Sequence, residues 1–259
     1  MKKVIRERDV ESDEEEEMNQ SYEVVNEKVV NVKEVSFQEL NIIQEQKESV
    51  CKIIKDDKSC GTGFLCIIPF PKKLNPLPVR ITCYHVLSNE DIQPGKEIKL
   101  IFNDKNRKSL FIDNSRRTYS EKQYDITIIE IKEENDGINI NRILELDYDI
   151  YEKEDLNKGF HDKSVYIIHY PDGLNESLSI NIIQKIDSKN LKIEHLCATK
   201  NGSSGAPIFN LNSFKVIGMH TGRHRNKDFN CGIILRKPIE EFNTLKKKNS
   251  SISKTSPKT

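Results

Sequence analysis

The sequence predicts an all-β protein in two halves, on three observations. Short runs rich in β-branched and aromatic residues recur from residue 49 onward with turn residues between them. A polar break at Glu133-Glu134-Asn135-Asp136-Gly137 divides the series. Helical periodicity is confined to the two flanks.

Taken in order, residues 1–35 form a charged segment that includes the acidic run 13–17 and has no sustained period, so disorder is expected there. Ser36-Phe37-Gln38-Glu39 has the form of a capping box and predicts a short helix to about residue 47. The first half, 36–135, then carries candidate strands at 50–54, 62–68, 80–86, 97–102, 109–113 and 125–131. The second half, 136–236, carries them at 143–146, 165–170, 177–186, 191–198, 206–210, 215–220 and 229–235. After Pro238, Ile239, Phe242 and Leu245 fall on one helical face, and 237–259 reads as a helix followed by a basic, Ser-rich tail.

Composition limits the function classes. The chain has 259 residues, enough for two β-barrels sharing one interface. At 36% hydrophobic and 32% charged it is polar for a globular enzyme, which assigns the flanks little share in a core. A net charge of zero argues for neither nucleic acid nor a membrane surface as partner. The start of the chain lacks the apolar stretch of a secretory signal, so the expected compartment is cytosolic or nuclear. Cys51, Cys60, Cys66, Cys83, Cys197 and Cys231 lack zinc-site spacing and read as buried thiols, with a disulfide framework as the competing reading. His161, His169 and His195 show no metal spacing, and Tyr170-Pro171-Asp172-Gly173 reads as a turn.

Three segments carry residue types that can act together. In Asn201-Gly202-Ser203-Ser204-Gly205-Ala206-Pro207, glycines let the backbone turn tightly between two strands and aim amides into one small space. Thr82-Cys83-Tyr84-His85 puts a histidine where an apolar run opens into polar sequence, the place for a base that a serine hydroxyl needs. Tyr124-Asp125-Ile126 puts a carboxylate at the head of an apolar strand, able to orient such a base. Each has a plainer reading: a turn, a core histidine, a strand-capping aspartate.

Together the three segments resemble the chymotrypsin-like (trypsin-fold) serine peptidases and follow that family's chain order of His, Asp, Ser. In character they are nearest to its bacterial glutamyl-endopeptidase-like and viral members. Gly61-Thr62-Gly63-Phe64-Leu65, Val216-Ile217-Gly218-Met219-His220-Thr221-Gly222 and Asn230-Cys231-Gly232-Ile233 resemble further strands of the family, extending the likeness over about 48–236. The resemblance implies two antiparallel six-stranded β-barrels with the site between them. It implies His85 as general base, Asp125 as its orienting acid and Ser204 as nucleophile, with the amides of Gly202 and Ser204 as oxyanion hole. Neither cofactor nor metal is expected, and the implied partner is a peptide or protein substrate.

Departures from the family pattern are Ala206 for a second glycine, Ser203 where secreted members carry an aspartate, and Cys83 before Tyr84-His85. By resemblance Ala198, Thr199, His220, Thr221 and Gly222 line the primary pocket. With no aspartate expected at its base, Lys or Arg is disfavoured there. The Thr199 and His220 pair matches positions that hold Glu or Gln side chains in the glutamyl and viral members, so Glu or Gln is expected before the scissile bond. Two other readings compete. A non-catalytic peptide-binding module would lay extended peptides along the Thr221-Gly222 edge. An α/β-hydrolase would need Gly-x-Ser-x-Gly before a helix, which Ala206 and Pro207 contradict.

Overall fold

The computed structural model describes residues 32–69, 76–139, 143–224 and 226–252. The expected disorder at 1–35 therefore lies outside the described residues up to 31, as do Arg225 and the tail from 253. Among the described residues no helix is long and apolar enough to cross a membrane.

Helix α1, Phe37–Gln46, starts from the capping box that its sequence predicts: the Ser36 hydroxyl accepts from the Glu39 amide, and the Glu39 carboxylate accepts from the Ser36 amide. Its last residue reaches the second half of the chain, where the Gln46 side chain donates to the Phe214 carbonyl and accepts from the Tyr166 hydroxyl. The helix thus precedes the first half in sequence but fastens to the second.

The first half is a sheet of β1 (Val50–Lys55), β2 (Lys58–Pro69), β3 (Pro76–Thr82), β4 (Glu97–Phe102), β5 (Asn106–Phe111), β6 (Thr118–Glu121) and β7 (Ile126–Glu130). Their order is β5-β4-β1-β2-β3-β7-β6, and every neighbour is antiparallel. The short β8, Leu144–Glu145, expected with the second half, pairs in parallel with β2, while Leu146 bridges to Val216. This half curls without closing, because β5 and β6 stay at opposite edges of the sheet.

The second half closes. β9 (Ser164–His169), β10 (Ser177–Asp187), β11 (Lys192–His195), β12 (Pro207–Asn210), β13 (Lys215–Arg223) and β14 (Asn230–Ile234) form a barrel in the order β10-β11-β14-β13-β12-β9. Closure leaves no edge and buries all of β9. One apolar cluster runs through both halves, from Val50, Phe64 and Ile81 to Ile167, Phe209 and Ile217, as a trypsin-like double-barrel fold requires.

Two features refine the expected layout. The polar break holds α2, Glu133–Asp136, whose Asp136 forms a two-point ion pair with Arg116 at 2.8 Å on each oxygen. Both side chains are buried; the Lys132 amide donates to the same carboxylate, and Arg116 also donates to the Glu130 carbonyl. Helices α3 (Asp149–Glu152) and α4 (Leu156–Phe160) lead into the barrel, and after it α5 (Arg236–Ile252) returns to the first half. Its Ile239 and Phe242 are buried, and its Glu241 accepts hydrogen bonds from the hydroxyls of Tyr119 (2.9 Å) and Tyr124 (2.7 Å). Pro238 sits in the first turn, where a missing amide hydrogen costs nothing.

Removing one partner of a buried ion pair strands the other charge, at a cost of about 3–5 kcal/mol. Asp136→Asn is therefore expected to lower the urea midpoint by the equivalent of that stability, whereas Lys99→Gln, at an exposed pair, is expected to leave it nearly unchanged. Equal midpoints for the two variants would contradict the ranking.

Candidate active site

Each predicted group sits in a loop at the junction of the two halves. His85 lies in the turn after β3 rather than within a strand, because the chain bends back at Cys83, whose carbonyl accepts from the amides of Val86 and Leu87. Asp125 immediately precedes β7 in a left-handed conformation, φ 51°. That backbone brings its carboxylate to His85 at two points: Oδ2 lies 2.7 Å from Nδ1, and Oδ1 accepts from the His85 amide at 3.0 Å. Asp125 thereby fixes ring and backbone together and selects the tautomer with hydrogen on Nδ1, leaving Nε2 as a base.

Cys83 stands beside this pair, its sulfur within 4.8 Å of the His85 nitrogen and the Asp125 oxygen. Burial, reinforced by the Asp125 charge, pushes its thiol well above the usual range, so it remains protonated and donates to the His220 carbonyl at 3.4 Å. The same carbonyl accepts from the Gly205 amide at 2.8 Å, so the histidine loop and the serine loop meet on one oxygen.

The serine loop is held peptide by peptide. The Asn201 carbonyl accepts from the Asp172 amide at 2.5 Å, the Gly202 carbonyl from the Thr62 hydroxyl at 2.7 Å, and the Ser203 carbonyl from the Ala206 amide at 3.1 Å. The Ser204 carbonyl accepts from the Thr62 amide at 2.8 Å. The amides of Ser203, Gly205 and Ala206 are also engaged. Among the described residues those of Gly202 and Ser204 have no acceptor, so two donors are available in a loop whose carbonyls are fixed. Gly202 and Gly205 take φ 85° and 90°, and a Cβ on Gly205 would stand 2.0 Å from the Thr62 carbonyl oxygen, which bars any side chain there.

Beside Ser204 opens a cavity of about 400 Å³ lined by Asp172, Thr199, Lys200, Asn201, His220, Gly222 and Arg223. Of the residues assigned to the pocket, Thr199, His220 and Gly222 line this cavity, Ala198 is exposed, and Thr221 is the bulged residue in the pairing of β13 with β14. An aspartate also lines the cavity. Asp172 comes from the Tyr170-Pro171-Asp172-Gly173 turn, and its carboxylate is half-exposed and paired with Lys200 at 3.1 Å. That turn has more than a connecting part, since its backbone supports the serine loop through Asn201.

Three histidines are buried around the loop. His195 Nε2 lies 3.1 Å from His220 Nδ1, and His169 Nδ1 lies 2.7 Å from the Ser203 hydroxyl. Burial lowers His169 to about 4 and His195 to about 3, and drives His220 well below its ordinary value, so all three are neutral at pH 7. His169, His195 and Asp172 carry no signal in their own neighbourhoods of the sequence; the partners of the two histidines are 34 and 25 positions away in the chain. Thr62 was visible only as part of the Gly61-Thr62-Gly63 strand. Cys51, Cys66, Cys83, Cys197 and Cys231 are free thiols, all buried except the half-buried Cys231.

Residues 61–219 match the model of the trypsin-like peptidase domain, and the chain belongs to that family. No curated protein matches its sequence. Among solved structures it is similar to the serine endoprotease from Yersinia pestis, at 13% identity and a TM-score of 0.55 over 80% of this chain and 68% of that one. It is similar to Rv3671c from M. tuberculosis in an inactive form, at 15% identity and a TM-score of 0.53 over 89% of this chain and 100% of that one. It also resembles the HtrA-type protease AlgW with tripeptide, at 14% identity and a TM-score of 0.58 over 80% of this chain and 63% of that one.

The buried histidines carry a pH consequence. Unfolded, each regains a value near 6.5, so below that pH the unfolded chain binds protons that the folded chain refuses. Stability is present in full above pH 6.5 and is lost as pH falls toward 4, by up to about 1.4 kcal/mol per pH unit for each histidine. Thermal midpoints measured from pH 7 to 4 are expected to fall, and His195→Gln to flatten that fall by about one proton's worth. An unchanged slope in the variant would contradict the assignment.

Proposed function

We propose that this protein is a serine endopeptidase working through His85, Asp125 and Ser204. The observation that carries the reading is the two-point hold of Asp125 on the ring and amide of His85. His85 Nε2 takes the Ser204 proton as Oγ bonds to the scissile carbonyl carbon, while Asp125 steadies the imidazolium. Charge developing on the carbonyl oxygen falls to the free amides of Gly202 and Ser204, each such donor being worth about 3 kcal/mol. Collapse breaks the C–N bond, with the His85 proton passing to the leaving amine; water, activated by the same base, then hydrolyses the acyl-enzyme.

Within the Glu or Gln expectation, hydrogen-bond capacity favours Gln. The Asn230 amide nitrogen donates to the Cys197 carbonyl at 2.7 Å, so Asn230 Oδ1 is an acceptor and the Thr199 hydroxyl must spend its hydrogen on it at 2.9 Å. Thr199 then offers the pocket only an acceptor. His195 Nδ1 is buried without a partner among the described residues, and an orphaned lone pair costs less than an orphaned N–H. Hydrogen therefore sits on His195 Nε2 and is donated to His220 Nδ1, which makes His220 Nε2 the donor. One donor and one acceptor complement a primary amide, whereas a carboxylate has no hydrogen for Thr199 and meets a neutral imidazole. The rim cations Lys200 and Arg223 already face Asp172 and Asp228.

A fluorophosphonate probe is expected to label wild type, with Ser204→Ala unlabelled and His85→Ala at least about 10³-fold slower. Absence of labelling in all three would favour the peptide-binding module. With a peptide library, cleavage after Gln is expected to exceed that after Glu by about tenfold or more, because a site built on hydrogen bonds rejects a side chain that leaves them unmade. Cleavage after Leu or Lys at an equal rate would overturn the pocket assignment.

A further inference from the structure

We propose that the buried Ser203–His169 pair is the device that holds the oxyanion loop in its working shape, making both positioning residues for the reaction. This rests on the serine-peptidase reading above. Ser203 lies between the two residues whose amides are free, so whatever fixes its Cα fixes the direction of both donors. Its side chain is fully buried, and His169 is 4% exposed. The hydroxyl oxygen receives the Lys200 amide at 3.0 Å, which occupies one lone pair and directs its hydrogen to His169 Nδ1, 2.7 Å away.

His169 in turn ends β9, a strand fixed on both sides by β10 and β12. The bond therefore refers the loop to the barrel wall through a side chain, where Thr62 refers it to the first half through carbonyls. The two holds act on different atoms: Thr62 grips the oxygens of Gly202 and Ser204, and His169 sets the rotation of the residue between them. Because the partner is a neutral ring on a neighbouring strand, the loop takes its shape on folding.

The test is the second-order rate of fluorophosphonate labelling, in which Ser204 Oγ bonds to phosphorus, fluoride leaves and the serine proton passes to His85. Full-length wild type is compared with Ser203→Ala, His169→Leu, their double variant and His169→Asn, with thermal midpoints recorded alongside. Each of the first two is expected to label about 10- to 100-fold more slowly, since a small misplacement of the donors costs that much. The double variant is expected to be no slower than either single one, because the pair acts as a unit. His169→Asn, whose amide oxygen can stand near the position of Nδ1, is expected to recover most of the rate even where its midpoint stays low.

Wild-type rates in Ser203→Ala, additive losses in the double variant, or rates that merely follow the midpoints would each overturn the proposal. Should His169→Leu not fold, Ser203→Ala and His169→Asn decide it. Failure of wild type itself to label would instead remove the peptidase reading, and the proposal with it.

Discussion

Thr62 joins the two halves with groups that cannot be moved independently. Its amide donates to the Ser204 carbonyl and its hydroxyl to the Gly202 carbonyl, the hydroxyl oxygen receives the Tyr170 amide, and its own carbonyl receives the Thr82 hydroxyl. It is fully buried, so none of these bonds competes with water, and leaving any of the groups unpaired costs about 1–3 kcal/mol. β2 thereby sets the height of the serine loop, and Thr82, at the end of β3, ties the start of the histidine turn to the same point. The placing of the serine loop thus follows from strand register in the first half.

The electrostatic arrangement is consistent with this division. The pair that would exchange protons with solvent and substrate, His85 and Asp125, is partly exposed, with side chains 49% and 29% accessible. The histidines that shape the loop and pocket are sealed away and neutral at pH 7. One residue type thus stands in two environments: His85 is half-exposed against a carboxylate, and the other three are fixed hydrogen-bonding posts from which water is excluded.

What was legible in the sequence depended on whether a signal was local. The Ser36 and Glu39 cap, the strand at 97–102 and the face of α5 carrying Ile239 and Phe242 could be read because neighbours in sequence define them. The residues of the Asp125 and His85 contact were identifiable because the three motifs came in a family's order. β6, four residues of Thr-Tyr-Ser-Glu, is too short and polar to stand out and owes its existence to pairing with β7. The Arg116–Asp136 pair was hidden for the opposite reason: its aspartate lies in a run that reads as a solvated break, and only the fold buries it. Thr62 and His169 belong to the same class, ordinary in sequence and defined by what is folded against them.

The return of α5 to the first half has a consequence for synthesis. Tyr124, next to the orienting aspartate, obtains its carboxylate partner from Glu241, 117 residues later in the chain. At about 5–20 residues per second, a ribosome adds that stretch in roughly 6–23 s. During that interval the first sheet can form its strands, while the Tyr124 hydroxyl lacks the partner that a helix not yet made supplies. The Tyr124 hydrogen bond is thereby ordered after translation of the closed barrel, so a nascent chain has its strands well before this contact between its first sheet and its last helix.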